Sequence, residues 1–379
     1  MAPGRKPPSA GQRAAVGAAA VGRKGRGAVS NIPHRFESVE RAVDGDALDA
    51  ARCAALEGDA ALPPLRTTVT LETARSLITY NDSPDIPFDR SINPYRGCEH
   101  GCSYCYARPT HSYLNLSPGL DFETKLTAKH NAAEILRREL AAPSYRVALI
   151  ALGTATDAYQ PVEREHRITR AILEVLSEAR HPVGIVTKSA LIERDIDLLA
   201  PMSALGIAEA FISLTTLDAE LSRRLEPRAA SPWRRLRAIE TLARAGIPVH
   251  VNVAPIIPFI NEPEIESLLE AAARAGAVKS HYTVLRLPWE VSPLFEEWLA
   301  AHFPDRAQRV LNRVREMREG RNYDARFGAR MKGTGTWAAL IKQRFEKASA
   351  KLGLDRKLPE LRTDLFIAPR PAGPQIELF

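Results

Sequence analysis

The sequence predicts an α/β protein built on a parallel sheet, and two observations indicate this fold class. From about residue 87, short runs rich in β-branched residues alternate with longer amphipathic stretches, which is typical of βα units. Two of the amphipathic stretches are followed by glycines, Gly246 and Gly276, at the position where a left-handed residue closes a helix. Both signals belong to alternating strands and helices.

Six strands and five helices are expected between residues 91 and 287. The predicted strands are 91–95, 146–152, 183–187, 210–214, 249–253 and 282–287. The predicted helices are 129–141, 163–179, 191–199, 233–245 and 262–275. Because parallel strands are joined by right-handed crossovers, six such units can curl into an open barrel.

Length and charge divide the rest of the chain. The chain has 379 residues, 45% of them hydrophobic, which is enough for one large domain with extensions. Residues 1–30 contain six basic and no acidic residues and few large apolar ones, so they are expected to be disordered. The predicted segments are a basic tail (1–30), an N-terminal extension (31–86), a barrel (87–303), a basic helical region (304–364) and a linker with a C-terminal peptide (365–379).

Three cysteines stand close together after the first predicted strand. Cys98, Cys102 and Cys105 have the spacing C-x3-C-x2-C. Thiolates ligate iron–sulfur clusters, and a 4Fe-4S cluster normally takes four of them. Three thiolates on one loop would therefore leave one iron open to a substrate or cofactor.

Two other readings of these cysteines are open. A zinc site could use His100 or His111 as a fourth ligand, although zinc ligands are usually paired on two separated turns. A disulfide framework is less favoured, because Cys53 is the only other cysteine. This sparse cysteine content suits a reducing compartment, and no apolar run is long enough to span a membrane, so we expect a cytoplasmic protein.

Polar residues follow the predicted strands. The polar stretches are 153–163, 187–189, 213–216, 252–258 and 286–289. In parallel barrels the chemistry lies at the carboxyl ends of the strands. Any one of these residues could merely cap a helix, but together with the cysteine loop they favour a cofactor pocket.

The cysteine spacing, with Tyr104 directly before the last cysteine, resembles the motif of the radical S-adenosylmethionine (SAM) superfamily. In that superfamily the open iron binds SAM, and one electron from the cluster cleaves it to methionine and a 5'-deoxyadenosyl radical. The resemblance implies a 4Fe-4S cluster on the three cysteines, SAM as second cofactor near Tyr104, and a partial (β/α)6 TIM-like barrel. It also implies an electron donor such as flavodoxin or ferredoxin.

Further motifs resemble the branch related to spore photoproduct lyase. They are the stretches 153–163, 187–189, 213–216 and 225–232. The resemblance implies that Lys188 and Ser213 contact the carboxylate or ribose of SAM, to which an ammonium and a hydroxyl are suited. Thr154, Thr156 and Asp157 replace the Gly-Gly-Glu with which many superfamily members bind the amino group, and they are expected near it.

One departure from that branch concerns the hydrogen-atom donor. Spore photoproduct lyase uses a further cysteine after the cluster motif, whereas this chain has none after Cys105. Tyr106 or Tyr159 is the candidate donor instead, unless the reaction is different. Lesion reversal is therefore not expected to transfer.

The C-terminal third suggests partners. Residues 301–357 contain 15 basic and six acidic residues, and Arg326, Arg330 and Lys332 among them could neutralise phosphates. The alternative is a solvated helical face. The chain ends with Gln375, Leu378 and Phe379 in a pattern similar to the bacterial sliding-clamp-binding peptide.

Two classes of function compete at this point. The first is a radical SAM enzyme acting on a nucleic acid or a nucleotide-derived substrate, with a protein or small-molecule substrate as the variant. The second is a clamp- or DNA-associated binding protein with a redox or structural cluster. Three-cysteine ligation favours the enzyme, because a structural cluster gains from a fourth protein ligand.

Overall fold

The computed structural model describes residues 24–37 and 65–369. The described residues form strands β1 Thr68–Glu72, β2 Ile78–Tyr80, β3 Arg90–Ile92, β4 Tyr95–Arg96, β5 Lys125–Lys129, β6 Ile150–Leu152, β7 Val183–Thr187, β8 Ala208–Ser213, β9 Val249–Ile256 and β10 Lys279–Val284. Seven of them make one sheet in the order β10-β9-β8-β7-β6-β3-β2. All pairs from β3 to β10 are parallel, and only β2 is antiparallel to its neighbour. This open sheet confirms the predicted α/β partial barrel.

All six predicted strands are present, but only the one at 183–187 has the predicted ends. The predicted strand 91–95 is divided, because β3 ends at Ile92 and β4 belongs to another sheet. Pro94 lies between them and has no N–H for a ladder hydrogen bond. The strand predicted at 146–152 is shorter, and the one predicted at 282–287 begins and ends earlier.

The described residues form twelve α-helices. They are α1 Asp121–Thr124, α2 Ala132–Leu140, α3 Glu163–His166, α4 Ile168–Glu178, α5 Ile196–Ala204, α6 Ala219–Leu225, α7 Pro232–Arg244, α8 Ile265–Arg274, α9 Val291–His302, α10 Pro304–Glu316, α11 Ala329–Lys332 and α12 Gly335–Lys351. The predicted helix 163–179 is divided at Arg167, which is left-handed with φ 52°. Gly246 and Gly276 have φ 78° and 100° after α7 and α8, as predicted for helix-closing residues.

The side chains of β8 alternate between the face of the sheet that packs against helices and the opposite face. In β8, Ala210 and Ile212 belong to a buried hydrophobic cluster with Leu242 of α7. Because successive side chains of a strand point to opposite faces, Phe211 and Ser213 face away from the helices. Ser213 is the last residue of β8 and therefore lies at the carboxyl end of the sheet on this opposite face.

A small second sheet supports the cysteine loop. Its order is β1-β5-β4, with β1 parallel and β4 antiparallel to β5. The two-residue strand β4 leads directly into the cysteines, so its pairing with β5 anchors the start of the loop. Such a short strand has no periodicity by which the sequence could predict it.

The N-terminal segment differs from its expected state. Residues 26–29 are buried, and the Arg26 guanidinium donates to Glu123 O at 2.9 Å. The backbone N–H groups of Gly27 and Ala28 donate to the Glu123 carboxylate at 3.0 and 2.8 Å. The prediction of disorder over 1–30 is therefore wrong for 24–30, because a buried carboxylate orders the backbone there.

The C-terminal region contains helices α10 to α12. Phe345 of α12 packs against Tyr282 of β10, with ring centroids 4.5 Å apart, so this region lies beside the last strand of the sheet. In the part of the chain that is described, no helix is long and apolar enough to cross a bilayer.

Candidate active site

The cysteine loop, residues 97–107, begins directly after β4. Gly97 has φ 76°, and a Cβ there would lie 2.8 Å from Phe122 O, so only glycine fits this close approach. The Cys98 N–H donates to the same Phe122 O at 2.9 Å. Cys98 and Cys102 are buried and Cys105 is half-buried. The loop is therefore more accessible at Cys105 than at the other two cysteines.

The stretch after β6 holds the loop from one side. The Gln160 side chain accepts a hydrogen bond from the Glu99 N–H at 2.9 Å and donates one to Gly97 O at 3.1 Å. Tyr95 OH donates to Glu163 Oε2 at 2.5 Å. This part of the 153–163 motif therefore positions the cysteine loop.

A buried ion pair holds the loop from another side. Arg108 and Glu123 are both fully buried and lie 2.5 Å apart. Arg108 also donates from Nε and Nη2 to Cys102 O at 3.0 and 2.8 Å. Because Glu123 also accepts the N–H groups of Gly27 and Ala28, this pair joins the N-terminal segment to the cysteine loop.

The Glu226 carboxylate is the centre of a second buried network. It accepts hydrogen bonds from Tyr104 OH, from Arg235 Nη2 and, at 2.7 Å, from Thr215 Oγ1. Burial alone would raise its pKa, but the charges of Arg235 and Lys188 lower the pKa of Glu226 to about 2. An ionised Glu226 thus fixes Tyr104, which precedes the last cysteine.

Asp157 is also ionised and fully engaged. Its carboxylate accepts hydrogen bonds from Thr187 Oγ1 at 2.6 Å and from the Lys188 N–H at 2.7 Å, and His100 Nδ1 lies 3.2 Å away. Burial opposes ionisation, but His100 and these hydrogen bonds lower the pKa of Asp157. Asp157 therefore connects the cysteine loop to the end of β7, and its place beside the SAM amino group stays a prediction.

Lys188 follows β7 and faces the cysteine loop. Its ammonium lies 5.9 Å from the Tyr104 ring centroid. Burial alone would lower the pKa of Lys188, but the charges of Cys102 and Glu226 raise it. Among the described residues this ammonium makes no hydrogen bond and no ion pair, so its donors are available to a carboxylate.

The remaining predicted cofactor residues lie at the same edge. Thr156 Oγ1 donates to Tyr95 O at 3.1 Å, and Thr154 O accepts a hydrogen bond from Tyr106 OH. Ser213 O accepts one from Arg235 Nη1 at 3.0 Å. Their backbones are close to the loop, whereas their contacts with SAM stay predictions.

The two candidate hydrogen donors have different surroundings. Tyr106 is half exposed at 48% and lies within electrostatic range of Cys105 and Lys188. Tyr159 is fully buried, and its hydroxyl donates to Asp195 Oδ2 at 3.0 Å. We therefore keep Tyr106 as the candidate and not Tyr159, because Tyr159 is enclosed in the core and out of reach of a substrate.

The surroundings of the three thiols favour the binding of positively charged iron, which neutralises the charge of the thiolates. Burial raises the pKa of Cys98 well above its ordinary value, and Asp157 and the other two cysteines raise it further. Burial likewise raises the pKa of Cys102 to about 12. Iron neutralises thiolate charge, so three thiols within electrostatic range of one another fit the three-cysteine ligand set.

The two histidines considered for zinc are engaged elsewhere. His100 lies beside Asp157, and His111 Nε2 is 2.9 Å from Lys125 O. Within 24–37 and 65–369, no three His, Cys, Asp or Glu side chains are grouped around a point where a single ion would bind. A cluster does not need such a grouping, because its thiolates bind different irons.

Comparison with known proteins identifies the family. Residues 92–272 match the model of the radical SAM superfamily. An uncharacterized protein of Mycobacterium tuberculosis (strain ATCC 25618 / H37Rv) is 38% identical over 234 residues, which are 61% of this chain and 68% of that protein. An uncharacterized protein of Methanocaldococcus jannaschii is 27% identical over 226 residues, 59% of this chain and 80% of that protein. The chain belongs to the radical SAM superfamily.

Solved structures show the same fold. Spore photoproduct lyase complexed with dinucleoside spore photoproduct aligns with a TM-score of 0.50 and 15% identity over 75% of this chain and 79% of that one. A mutant of the same lyase with bound AdoMet and the dinucleoside gives 0.50 and 16% over the same shares. The protein is a radical SAM enzyme that uses a 4Fe-4S cluster and SAM.

Sequence reasoning missed the residues that hold the cysteine loop. Arg108, Glu123 and Arg235 are separated from their partners in the chain and match no short motif. Glu226 lies inside a stretch that the sequence had indicated, but its role depends on Tyr104 and Arg235. Only its position between the apolar Leu225 and Pro227 hinted at a buried carboxylate.

We expect Lys188→Met to weaken SAM binding. Losing a charge-assisted contact costs about 1.5–3 kcal/mol, which is roughly a ten- to hundredfold loss of affinity. Calorimetric titration of SAM into reconstituted protein measures it, with Lys342→Met on the exposed face of α12 as control. An unchanged affinity in a variant with a complete cluster would show that Lys188 is misassigned.

Proposed function

We propose that this radical SAM enzyme acts on a nucleic acid whose reacting base is unstacked. The observation that carries this proposal is a group of three exposed aromatic rings around one guanidinium. Phe36, Tyr113 and Trp289, here called the aromatic patch, are 53%, 71% and 64% exposed. The Arg35 guanidinium lies 4.6, 5.3 and 4.5 Å from their respective centroids.

The aromatic patch is held open by its surroundings. Arg35 is fixed by Glu290, with Nη1 and Oε2 2.8 Å apart. Trp289 has φ 47°, a conformation that costs a non-glycine residue of order 1–3 kcal/mol and occurs at ligand sites. A strained residue with an exposed indole suits stacking against a planar ligand.

Two residues of the aromatic patch follow elements of the candidate site in the chain. Trp289 follows β10, so it lies beyond the carboxyl end of the sixth parallel strand. Tyr113 belongs to the 3-10 helix Arg108–Leu114, which directly follows the cysteine loop. Aromatic faces stack bases without reading their sequence, as in single-strand binding proteins.

The fold likeness is a second support. The aligned spore photoproduct lyase structures contain a dinucleoside spore photoproduct, which is a nucleic-acid lesion model. Identity is too low to carry the reaction over, and the described chain has no cysteine beyond Cys105. We therefore propose the substrate class and leave the lesion-reversal reaction aside.

The residues divide the work as follows. A bound and reduced cluster would supply the electron for cleavage of SAM to methionine and a 5'-deoxyadenosyl radical, which would take a hydrogen atom from the substrate. Cys98, Cys102 and Cys105 would hold the cluster, and Lys188 would bind the SAM carboxylate. Tyr106 would lie next to the reacting substrate, because it is half exposed beside Cys105.

We assign the basic region 301–357 a smaller part in phosphate binding than its composition indicated. Arg330 pairs with Asp85 at 2.5 Å, Arg326 with Asp324 at 2.6 Å, and Lys332 Nζ donates to Tyr282 O at 2.7 Å. These three cations are engaged within the chain, which disfavours them as phosphate contacts. Clamp binding through Gln375, Leu378 and Phe379 remains a proposal, and these residues, like Cys53, lie outside the described residues.

We expect Trp289→Ala to weaken binding of a single-stranded oligonucleotide. Loss of one stacked base costs about 1–3 kcal/mol, or roughly five- to hundredfold in affinity. Fluorescence anisotropy measures it. Tyr80→Ala is the matched control, because Tyr80 is 60% exposed and stacks on Arg90. Arg90 is the first residue of β3 and so lies at the amino end of the parallel strands, opposite to the candidate site.

Two results would contradict the proposal. One is wild-type protein that binds no single-stranded DNA or RNA at low salt. The other is equal loss of binding in the Trp289 and Tyr80 variants. Either result would favour a protein or small-molecule substrate.

A further inference from the structure

Arg286 lies near the cysteine loop and has no carboxylate partner in the part of the chain that the structure describes. It follows β10 by two residues, so it lies at the carboxyl end of the sixth parallel strand. Its Nε is buried without a hydrogen-bond partner, and its Nη1 donates only to Met331 Sδ, at 3.1 Å. In the described residues no carboxylate forms an ion pair with Arg286.

Several other arginines with little exposure have a carboxylate partner. Arg108, Arg194 and Arg344 each have a carboxylate oxygen within 2.9 Å. Asp85 lies within electrostatic range of Arg286, but its carboxylate already accepts hydrogen bonds from Arg330 Nε and the Gly328 N–H. Asp85 is therefore committed, and the guanidinium of Arg286 keeps free donors.

A second cation makes the region more positive. Arg318 is buried, and its guanidinium donates to Leu285 O at 2.9 Å and Ala329 O at 2.6 Å. Burial, together with the charge of Arg286, lowers the pKa of Arg318 to about 10. Two guanidinium groups that repel each other are stabilised when an anion binds between or beside them.

The free cation faces the reacting side of the site. The Arg286 guanidinium lies 5.2 Å from the Tyr106 ring centroid, and Tyr106 is also within electrostatic range of Cys105 and Lys188. Lys188 is the predicted partner of the one carboxylate that SAM carries. Arg286 is thus a second free cation at the same tyrosine, available to an anion of the substrate.

We propose that Arg286 binds a phosphate of the substrate and so places the neighbouring nucleotide against Tyr106. A guanidinium offers a planar fork of donors that matches phosphate oxygens. This inference rests on the proposed nucleic-acid substrate, which supplies one phosphate per nucleotide. Phosphate contacts position a nucleic acid without reading its sequence.

The test compares Arg286→Gln and Arg286→Lys with wild type in three kinds of measurement, which are oligonucleotide binding, SAM binding and cleavage, and thermal melting. Loss of one phosphate contact reduces the slope of log affinity against log salt by about 0.7 for a single strand. We expect this reduction in Arg286→Gln, together with roughly tenfold weaker oligonucleotide binding at low salt. Arg286→Lys keeps the charge and should keep the slope. SAM affinity and 5'-deoxyadenosine formation without substrate should stay within about twofold in both variants, since neither measurement involves a phosphate ligand.

Arg244→Gln is the matched control for charge. Arg244 is on α7, is 77% exposed and pairs with Glu240, so its loss removes the same charge away from the site. The salt slope should be unchanged in this variant. An equal reduction in Arg244→Gln and Arg286→Gln would overturn the assignment in favour of general electrostatics.

A third measurement separates this inference from the proposed function. Inorganic tripolyphosphate should raise the melting temperature of wild type and leave that of Arg286→Gln unchanged. If it does so while no oligonucleotide binds, the phosphate site stands and the nucleic-acid proposal fails. Loss of SAM affinity with an unchanged salt slope would instead assign Arg286 to the cofactor, and no effect in any measurement would refute the site.

Discussion

Alanine at Cys98, Cys102 or Cys105 is expected to abolish both cluster binding and SAM cleavage. Each thiolate holds a different iron, and a cluster with two protein ligands is lost or degraded. Anaerobically reconstituted wild type should contain about four irons per chain, as one 4Fe-4S cluster requires, and form 5'-deoxyadenosine after reduction. Each variant should show neither the cluster absorption nor the product.

Two controls make this result specific. Cys53→Ala should leave both properties intact, because the three other cysteines form the motif. Ser103→Ala alters the same loop without removing a thiol, so it tests whether any change in the loop releases the cluster. Zinc-loaded protein that never forms 5'-deoxyadenosine would contradict the assignment.

Arg235→Met is expected to destabilise the protein by about 3–5 kcal/mol, because it leaves the buried Glu226 carboxylate without its guanidinium. Arg235 is 1% exposed and Glu226 is fully enclosed at its side chain. Tyr104 and Thr215 donate to the same carboxylate. A displaced Glu226 should therefore also release Tyr104, which precedes the last cysteine of the loop. Urea unfolding measures the free energy of unfolding. The iron content after incubation at moderate temperature shows whether the cysteine loop still holds the cluster.

The partner variant shows that the unpaired charge is the cause. Arg235→Met combined with Glu226→Gln removes the charge but keeps an acceptor for Tyr104 and Thr215, and should recover part of the stability. Arg244→Met is the surface control, because Arg244 and Glu240 form an exposed pair on the same helix, worth at most about 1 kcal/mol. Equal effects of Arg235→Met and Arg244→Met would exclude a buried ion pair as the source.

Local signals account for the parts of the fold that were predicted. Runs of β-branched residues identified β7, β8 and β9, and Gly246 and Gly276 marked two helix ends. These features depend on a few neighbouring residues, and the periods of strand and helix differ. The errors also have local causes, since Pro94 ends β3 early and left-handed Arg167 divides the helix predicted at 163–179.

The candidate site was predicted only where its residues form a compact motif. Cys98, Cys102 and Cys105 lie within one loop, so their spacing alone indicates a cluster with an open iron. Lys188 and Ser213 were indicated by their places at the carboxyl ends of predicted strands and by the family resemblance, and their contacts with SAM stay predictions. Tyr159 has the right residue type, but its hydroxyl is directed to Asp195 in the core, which the sequence does not reveal.

The sequence by itself determined the order of βα units, the proposed set of cluster ligands and the family resemblance, because each depends on residues that are close together in the chain. Only the tertiary structure decided which distant groups hold the site, because ion pairs such as Arg108 with Glu123 depend on how separate elements meet. It also decided the state of residues 24–30, whose composition alone favours disorder. A Cβ on Gly27 would lie 1.6 Å from Gly101 O, so this glycine allows two backbones to touch. The Glu123 carboxylate, which receives the N–H groups of Gly27 and Ala28, comes from a third segment.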